Sequence, residues 1–426
     1  MRLDSLKPLS LACAVAAGTL VTSVQAAEEY KLGLVTFLSG AASGPFGIPA
    51  KNAADLVIDA INDGTLPAPI SGKGIDGRQI KPIYVDEAGG ATKQTAEYRN
   101  LVDREGVDSI VGYISSGDCL AIPPVAEELK TLTVLFDCGT PRVFEEGDYK
   151  YVFRSHSTAS MDNIAAARYI NETVDSLKSI SGINQNYSWG HDSWRDFTET
   201  LKVLRSGDIE ITTEQFPKLF AGQYGAEISA LMVKPADVVH TSFWGGDTDA
   251  LVLQAAARGL LEDNQMIFTA GETALNSLGE HLPDGVIIGA RGPFGPFAPE
   301  SELNTWFQSE FTKRFGTPPT YPAYHMAQAV IGLKLAYDKA GADATTEQVI
   351  DAFEYMEFEG PGGKVSMNRG KGHQAATEMV YGRLTRSNGE IGFTDVRRYA
   401  ADCVNPPEGA ITEEWIKAGM PGAKCD

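Results

Sequence analysis

Hydrophobic and polar positions follow two alternating periods along most of this chain. Short apolar runs, such as residues 31–37 and 109–114, predict buried strands. Segments with apolar positions three and four residues apart, such as 52–62 and 92–104, predict helices with one buried face. Because the two kinds of segment alternate, the pattern indicates parallel sheets covered by helices on both faces.

The alternation occurs in two series, which predict two units of similar design. The first series occupies residues 31–150, and the second runs from 176 to 288. A long helix predicted at 322–340 comes too late to be simply the next unit, so we place it back on the first one. Three connecting segments are expected to cross between the units, at 153–155, 289–295 and 358–372.

These observations predict an α/β fold made of two doubly wound parallel-sheet lobes joined by a hinge. At 426 residues, the chain is long enough for two such domains. We assign residues 27–152 plus 292–362 to lobe 1, and residues 153–291 plus 363–402 to lobe 2. Residues 403–426 form a C-terminal tail.

The N-terminus carries the pattern of a secretory signal peptide. Arg2 and Lys7 precede an uncharged, mostly apolar stretch that ends in small residues at Val24-Gln25-Ala26. We therefore assign residues 1–26 to a signal peptide and expect the mature chain to be exported. The formal net charge of the whole chain is −20. Such an acidic chain is not expected to bind nucleic acid or an anionic membrane surface.

Four cysteines remain after export, and three pairings are open to them. We favour Cys119–Cys138 and Cys403–Cys425, because the partners in each pair are close in sequence. Free buried thiols are the alternative. No Cys-x-x-Cys motif and no Cys/His cluster suggests a metal site.

The motifs of covalent and cofactor chemistry are missing from the sequence. We find no Gly-x-Ser-x-Gly, His-Glu-x-x-His, Ser-x-x-Lys or Walker motif. The glycines at 72, 74 and 77 fit a dinucleotide fingerprint in spacing only, because a helix precedes them and a strand follows. We therefore expect no enzyme activity, no cofactor and no metal.

In the first unit, polar and small residues follow the predicted strands. Ser115, Ser116 and Gly117 lie between a strand and a helix, and Thr140 follows the next strand. A long loop of small residues carrying Phe46 follows the first strand. Ligands of doubly wound sheets bind at such strand ends, and hydroxyls beside a helix N-terminus attract a carboxylate. Ordinary helix capping by serine is the alternative.

In the second unit, aromatic side chains and an acid occupy the corresponding positions. Tyr187 and Trp189 follow one strand, Trp244 follows another, and Glu272 follows a third. Hydroxyls on one lobe and aromatics with an acid on the other suit a zwitterion held between them. Core or rim packing of the aromatics is the alternative.

Several motifs, in this order and spacing, resemble the type I periplasmic solute-binding proteins of branched-chain amino acid ABC transporters, the leucine/isoleucine/valine-binding family. They are "YKLGLVTFLSGAASGPFG", "GYISSGD", "FDCGTP", "YKYVFRSHSTASMDNIAAARYI", "YSWGHD" and "FGTPPTYPAYHMAQA". The resemblance implies that Ser115 and Thr140 hold the ligand carboxylate, with Ser116 beside them. It also implies that the carbonyl of Cys138 and the carboxylate of Glu272 take the ammonium. The implied pocket walls are Phe46, Trp189, Trp244 and Tyr324.

The resemblance implies a monomeric periplasmic protein that delivers an amino acid or similar small polar solute to the permease subunits of an ABC importer. The lobes would close on the ligand about the hinge. The family often has tyrosine where Phe46, Trp189 and Trp244 stand here, so the ligand need not be a branched-chain amino acid. The alternative is a periplasmic sensing module that binds an amide, urea or organic acid and feeds a receptor or regulator.

Overall fold

The computed structural model describes Met1 and residues 29–425. The predicted signal peptide, residues 1–26, therefore lies almost wholly outside the described residues. Strands and helices alternate along the chain. The strands are β1 (Tyr30–Thr36), β2 (Ile80–Asp86), β3 (Ser109–Gly112), β4 (Thr133–Leu135), β5 (Val152–Arg154), β6 (Ser179–Ile183), β7 (Glu210–Gln215), β8 (Val238–Thr241), β9 (Gln265–Phe268), β10 (Ile287–Gly289), β11 (Glu357–Gly360), β12 (Gly363–Arg369), β13 (Gln374–Ala376), β14 (Met379–Ser387) and β15 (Glu390–Tyr399).

Helices of very different length connect the strands and cover both faces of each sheet. They are α1 (Ile48–Asp63), α2 (Ala91–Asn100), α3 (Ser116–Ala121), α4 (Pro123–Leu129), α5 (Arg142–Glu145), α6 (Ala159–Thr173), α7 (Ser188–Leu204), α8 (Gly225–Val233), α9 (Gly246–Ala256), α10 (Leu260–Asp263), α11 (Leu275–Leu278), α12 (Glu302–Phe315), α13 (Tyr321–Ala340), α14 (Thr346–Phe353), α15 (Ala401–Val404) and α16 (Thr412–Lys417).

The strands form two separate sheets, which confirms the predicted two-lobe α/β fold. The first sheet has the order β11-β12-β13-β5-β4-β3-β1-β2, and the second has the order β15-β14-β10-β9-β8-β6-β7. The strands from β1 to β5 pair in parallel, as do those from β6 to β10. Antiparallel strands late in the chain extend one edge of each sheet.

The chain crosses between the sheets three times. It crosses after β5 and after β10, as predicted, and finally between β13 and β14. The long helix α13 returns to the first lobe, where it packs against α1, β3 and β4. It is buried on almost all sides because its sequence is apolar around nearly the whole helix.

The last crossover lies later than the sequence pattern predicts. Residues 363–376, which the predicted boundaries place in lobe 2, form β12 and β13 of the first sheet. The reason is local pairing: β12 folds back on β11 as an antiparallel hairpin, and β13 then pairs with β12 and β5. The first lobe therefore extends to about residue 376.

Two disulfides join the pairs that are close in sequence. Cys119 is bonded to Cys138, which tethers α3 to the segment after β4. Cys403 is bonded to Cys425, which fixes the end of the tail against α15. The tail packs on lobe 2, where α16 contacts α7 and α15 contacts α6. Within residues 29–425, no helix combines the length and the apolar character that a membrane crossing requires.

Candidate ligand-binding site

A small enclosed cavity lies where the carboxyl ends of the strands in the two sheets face each other. We call it the inter-lobe cavity. Its volume is about 10 Å³, which is room for a single water molecule. The lobes are therefore closed on each other, and a larger molecule enters only when they separate. The lining residues are Phe46, Ile114, Ser116, Asp137, Gly139, Tyr187, Trp189, Trp244, Arg291 and Tyr321.

Hydrogen bonds between the lobes surround this cavity and hold it shut. Each joins a group of the first lobe to a group of the second lobe or its crossovers. Three of the four lie in buried positions, and in the fourth the acceptor residue, Ala41, is exposed. The pairs are Gly246 N–H to the Ala41 carbonyl (2.8 Å), Thr140 Oγ1 to Asp192 Oδ2 (2.7 Å), Tyr321 N–H to Glu272 Oε2 (3.0 Å) and Arg291 Nη1 to the Asp137 carbonyl (2.6 Å).

Aromatic side chains from both lobes form one wall of the inter-lobe cavity. The Phe46 ring lies 5.2 Å from the Trp244 ring and 5.4 Å from the Tyr321 ring, edge to face in both cases. The Trp189 indole N–H donates to the Ser242 carbonyl at 2.7 Å, which fixes that ring. Trp244 Nε1, in contrast, is buried and has no partner within the described part of the chain. This wall offers aromatic surface and one free N–H donor.

Arg291 forms the charged floor of the cavity. It follows β10 in the second crossover, with φ +52°, and its side chain is almost completely buried. The guanidinium pairs with Asp137 and Asp162, each at 3.0 Å, and lies 4.6 Å from the centre of the Trp189 ring. Two carboxylates therefore surround one guanidinium. The floor of the cavity carries no net positive charge that would attract an anion.

Asp137 directs one free oxygen into this region. Its Oδ1 accepts hydrogen bonds from Arg291 and from His325 Nδ1, the latter at 2.6 Å. Burial lowers the pKa of His325, and His156 stacks on that ring at 4.7 Å. Asp137 Oδ2 is buried and has no partner among residues 29–425. Since Asp137 lines the cavity, this oxygen can accept a hydrogen bond from a bound molecule.

The position that the sequence predicts for a ligand carboxylate is already filled by Glu87. Its buried carboxyl group accepts from the main-chain N–H of Ile114 at 2.8 Å and of Ser115 at 2.7 Å. Burial raises the pKa of Glu87 well above its ordinary range, and the nearby Asp118 carboxylate raises it further. Burial also raises the pKa of Asp118 to about 6. Burial of both carboxyl groups therefore favours the protonated form of Glu87.

The other predicted polar groups of the first lobe also have protein partners. The Thr140 hydroxyl donates to Asp192, and the carbonyl of Cys138 accepts from Arg154 Nη1 at 3.2 Å. Ser116 lines the cavity, and its hydroxyl accepts from the Thr140 N–H at 3.2 Å. The Ser116 hydroxyl keeps its proton available to a bound molecule.

Glu272 and Tyr324 lie beside the inter-lobe cavity rather than in its lining. Glu272 caps the N-terminus of α13 by accepting from the Tyr321 N–H, and burial raises its pKa to about 8. The Tyr324 hydroxyl donates to Asn304 at 2.9 Å, under α12. Tyr321, one helical turn earlier, takes the wall position that the sequence predicts for Tyr324. Of the predicted site residues, the structure brings Phe46, Ser116, Trp189 and Trp244 together in the lining.

Sequence reasoning missed Asp137 and Arg291, although both carried a signal. Asp137 lies two residues after the end of β4, in the same short segment that suggested Thr140. Arg291 is the only charged residue between Val286 and Phe297. A single charged side chain in an apolar crossover is expected to pair with a residue of opposite charge elsewhere in the fold. Within residues 29–425 there is no group of three His, Cys, Asp or Glu side chains that could hold a metal ion.

Comparisons with known proteins agree with the fold. Residues 29–390 match the model of a family described as periplasmic binding protein. The solute-binding protein of an ABC transporter from Rhodopseudomonas palustris BisB5, solved in complex with 3,4-dihydroxybenzoic acid, has a similar structure. It superposes with a TM-score of 0.75 at 21% identity, over 88% of this chain and 98% of that one. This likeness shows a shared fold.

Two curated relatives align over part of the chain. The leucine-specific-binding protein of Salmonella typhimurium is 24% identical, over 62% of this chain and 67% of the relative. The Leu/Ile/Val-binding protein homolog 4 of Brucella melitensis biotype 1 is 26% identical over 52% of this chain. The alignment spans about half of that Brucella protein, 53% of its length. Since the family model covers most of the described residues, the chain belongs to the periplasmic binding protein family, as its motifs predict.

Proposed function

We propose that this protein is the solute-binding subunit of an ABC importer and carries an amino acid or similar small polar solute through the periplasm. The observation that carries the proposal is the inter-lobe cavity, where the strand ends of both lobes meet. The cavity combines an aromatic wall with two buried polar atoms that have no protein partner. Such a combination of apolar surface and a few placed polar groups is typical of small-molecule sites.

The free polar atoms favour one kind of head group on the solute. Asp137 Oδ2 accepts a hydrogen bond, and its charge makes that bond strongest to an ammonium group. Trp244 Nε1 donates one, which suits a carboxylate or carbonyl oxygen. A molecule carrying both an amine and a carboxylate satisfies both atoms, and its side chain then lies against the aromatic wall.

The polar groups that already have protein partners further restrict which class of solute we expect to bind. Glu87 takes the main-chain N–H groups of Ile114 and Ser115, so the solute carboxylate is not held there. Arg291 is neutralised by two carboxylates, so a simple anion gains little from it. We therefore expect a zwitterion or an amide to bind more tightly than the corresponding acid.

Membership of the family supports the transport role. One curated relative is named a leucine-specific-binding protein, and the similar solved structure is described as part of an ABC transporter. Carried over to this chain, these names support a permease as the partner and binding without covalent chemistry. The solved structure holds an aromatic acid, which is why aromatic acids belong among the candidates.

A thermal-shift screen against amino acids, amides, urea and aromatic acids tests the proposal. A ligand at 100 times its Kd adds about 2.7 kcal/mol to stability. The best ligand is then titrated into Asp137→Asn, which keeps an acceptor at the Oδ1 position but places an NH₂ donor at the free position. We expect an amine-bearing ligand to lose about tenfold or more in affinity, since a charge-assisted hydrogen bond contributes about 1.5–3 kcal/mol.

Asp351→Asn is the matched control, because Asp351 is exposed on α14 and distant in sequence from the lining residues. It should bind as the unmodified protein does. If no compound of the screen raises the melting temperature, the transport proposal fails. If a ligand binds and both variants retain its full affinity, the solute does not contact Asp137.

A further inference from the structure

A second and much larger cavity lies behind the hinge. Its volume is about 490 Å³, within the range of small-molecule sites. Four parts of the chain line it: the segment around α5, the first crossover, the segment between β12 and β13, and the loop before α16. Both lobes and the first of the three crossovers therefore contribute. We call it the Arg154 cavity, after the charged side chain buried in its wall.

Arg154 is the unusual group of this cavity. It is the last residue of β5, and its side chain is fully buried. Its Nη1 donates to the Cys138 carbonyl at 3.2 Å and to the Thr140 carbonyl at 2.6 Å, and its Nε donates to Gln374. Nη2 makes no hydrogen bond within the described residues. No carboxylate in that part of the chain pairs with Arg154 either.

A buried charge without a counter-charge is costly, usually by several kcal/mol. The cost shows in the pKa of Arg154, which burial lowers to about 9. The nearby Arg291 guanidinium lowers this pKa further, and the carboxylates of Glu145 and Asp192, which do not pair with Arg154, raise it in part. An anion beside Nη2 would remove this cost. The chain supplies carboxylates around the cavity, but each is engaged elsewhere.

Glu146 pairs with Arg142 at 2.6 Å, and Asp148 pairs with Lys371 at 2.5 Å. Glu145 accepts from the main-chain N–H of Thr412 at 3.0 Å and also from its hydroxyl. These acidic groups would repel a multiply charged anion such as phosphate. A single negative charge directed at Arg154 is compatible with them.

The apolar part of the lining indicates the chemical character of the rest of the ligand, apart from its single negative charge. The Arg154 guanidinium lies 5.6 Å from the centre of the Phe144 ring. Tyr149, Met161 and Ile411 supply further apolar or aromatic surface. A flat, apolar body carrying one carboxylate matches both the charge and the surface of this cavity.

We propose that the Arg154 cavity is a second binding site, which takes an aromatic or other apolar monocarboxylate. The carboxylate accepts from Arg154 Nη2, and the apolar body packs against Phe144. The site is coupled to the inter-lobe cavity, because the same guanidinium holds the carbonyls of Cys138 and Thr140, on either side of the lining residue Gly139. This proposal does not depend on which solute the inter-lobe cavity binds.

Crystals of the purified protein soaked with 4-bromobenzoate locate the site directly. We expect an anomalous bromine peak inside the Arg154 cavity, with the carboxylate at hydrogen-bond distance from Nη2. Ala410→Trp is the blocking variant, since residue 410 is half-buried in the cavity wall and a large side chain there fills the space. Ile411→Trp is a second blocking variant at an exposed position, in case the first does not fold.

Melting temperatures and hydrogen–deuterium exchange, both measured in solution, complete the test. 4-Bromobenzoate should raise the melting temperature of the unmodified protein more than that of a folded blocking variant. It should also slow hydrogen–deuterium exchange in peptides covering residues 137–141, and this slowing should be lost in the blocking variant. Absence of bromine from the Arg154 cavity, or equal responses of both proteins, overturns the proposal. A bromine peak in the inter-lobe cavity alone also overturns it, while leaving the transport function standing.

Discussion

Replacing Glu87 with glutamine should change how the stability of the protein depends on pH. Glutamine has the shape of a protonated glutamate, so its Oε1 can accept from Ile114 and Ser115 while its NH₂ group donates to Asp118. The two hydrogen bonds to Oε1 are therefore retained, and only the second contact of the Ile114 N–H, to Glu87 Oε2 at 3.0 Å, is lost. What changes is that the folded variant no longer holds the proton that Glu87 carries.

The magnitude follows from this single proton. The pKa of Glu87 is raised in the folded protein, so its contribution to stability is fully present below the ordinary glutamate value of about 4.3. That contribution is lost as the pH rises towards the folded pKa, by about 1.4 kcal/mol per pH unit. Glu87→Gln removes this loss. Between those two pKa values, the variant should therefore gain up to about 1.4 kcal/mol per pH unit relative to the unmodified protein as the pH rises.

Denaturant unfolding of both proteins at pH 5, 6 and 7 measures this difference. Asp118 titrates in both proteins. Its contribution to the pH dependence of stability therefore cancels, to a first approximation, when the two proteins are compared. Glu359→Gln is the control, because Glu359 is exposed on β11 and its replacement should leave the pH dependence unchanged. Parallel stability curves for the unmodified protein and Glu87→Gln would show that Glu87 is ionised in the folded protein. They would refute the raised pKa that we assign to Glu87.

Three further outcomes are expected. Arg291→Met leaves two buried carboxylates without their counter-charge, so urea unfolding should show a loss of about 3–5 kcal/mol; a loss below 1 kcal/mol would contradict the ion-pair geometry. Glu272→Gln should weaken an amino acid and its deaminated analogue equally in calorimetric titrations, because Glu272 contacts the Tyr321 N–H; a selective loss for the amine would place Glu272 on the ligand. Replacing Cys119 and Cys138 together with alanine should lower stability by about 3 kcal/mol, as a closed loop of this length predicts, and an unchanged unfolding midpoint would argue against the bond.

The architecture of the lobes was largely predictable from periodicity. Strands that follow one another through helices must run parallel, and apolar runs such as 109–114 are readable from sequence alone. The position of the last crossover was not predictable in the same way. Residues 363–376 alternate like any antiparallel strand, and nothing local tells which sheet edge they join.

The site was predictable to the extent that it depends on strand ends. Phe46, Ser116, Trp189 and Trp244 all follow strands of the sheets, and all four line the inter-lobe cavity. The partners of polar groups depend on contacts between distant segments, which no local pattern encodes. Glu87 accepts a hydrogen bond from the main-chain N–H of Ser115, 28 residues later. This N–H is therefore not available to a ligand, although the motif resemblance assigns Ser115 to one.

The hydrogen bonds that join the lobes have a cost for an importer that recognises closed carriers. Gly246 bonds to Ala41, and Tyr321 to Glu272, through groups that belong entirely to the protein. These bonds favour closure whether or not a solute is enclosed, so the closed form needs little additional free energy to become dominant. Because the closed cavity has room only for a water molecule, a solute must break these bonds to enter, and part of its binding energy is spent on moving the lobes. If the protein serves an importer as proposed, empty carriers in the closed form would compete with loaded ones, and abundant solute would be needed to keep transport efficient.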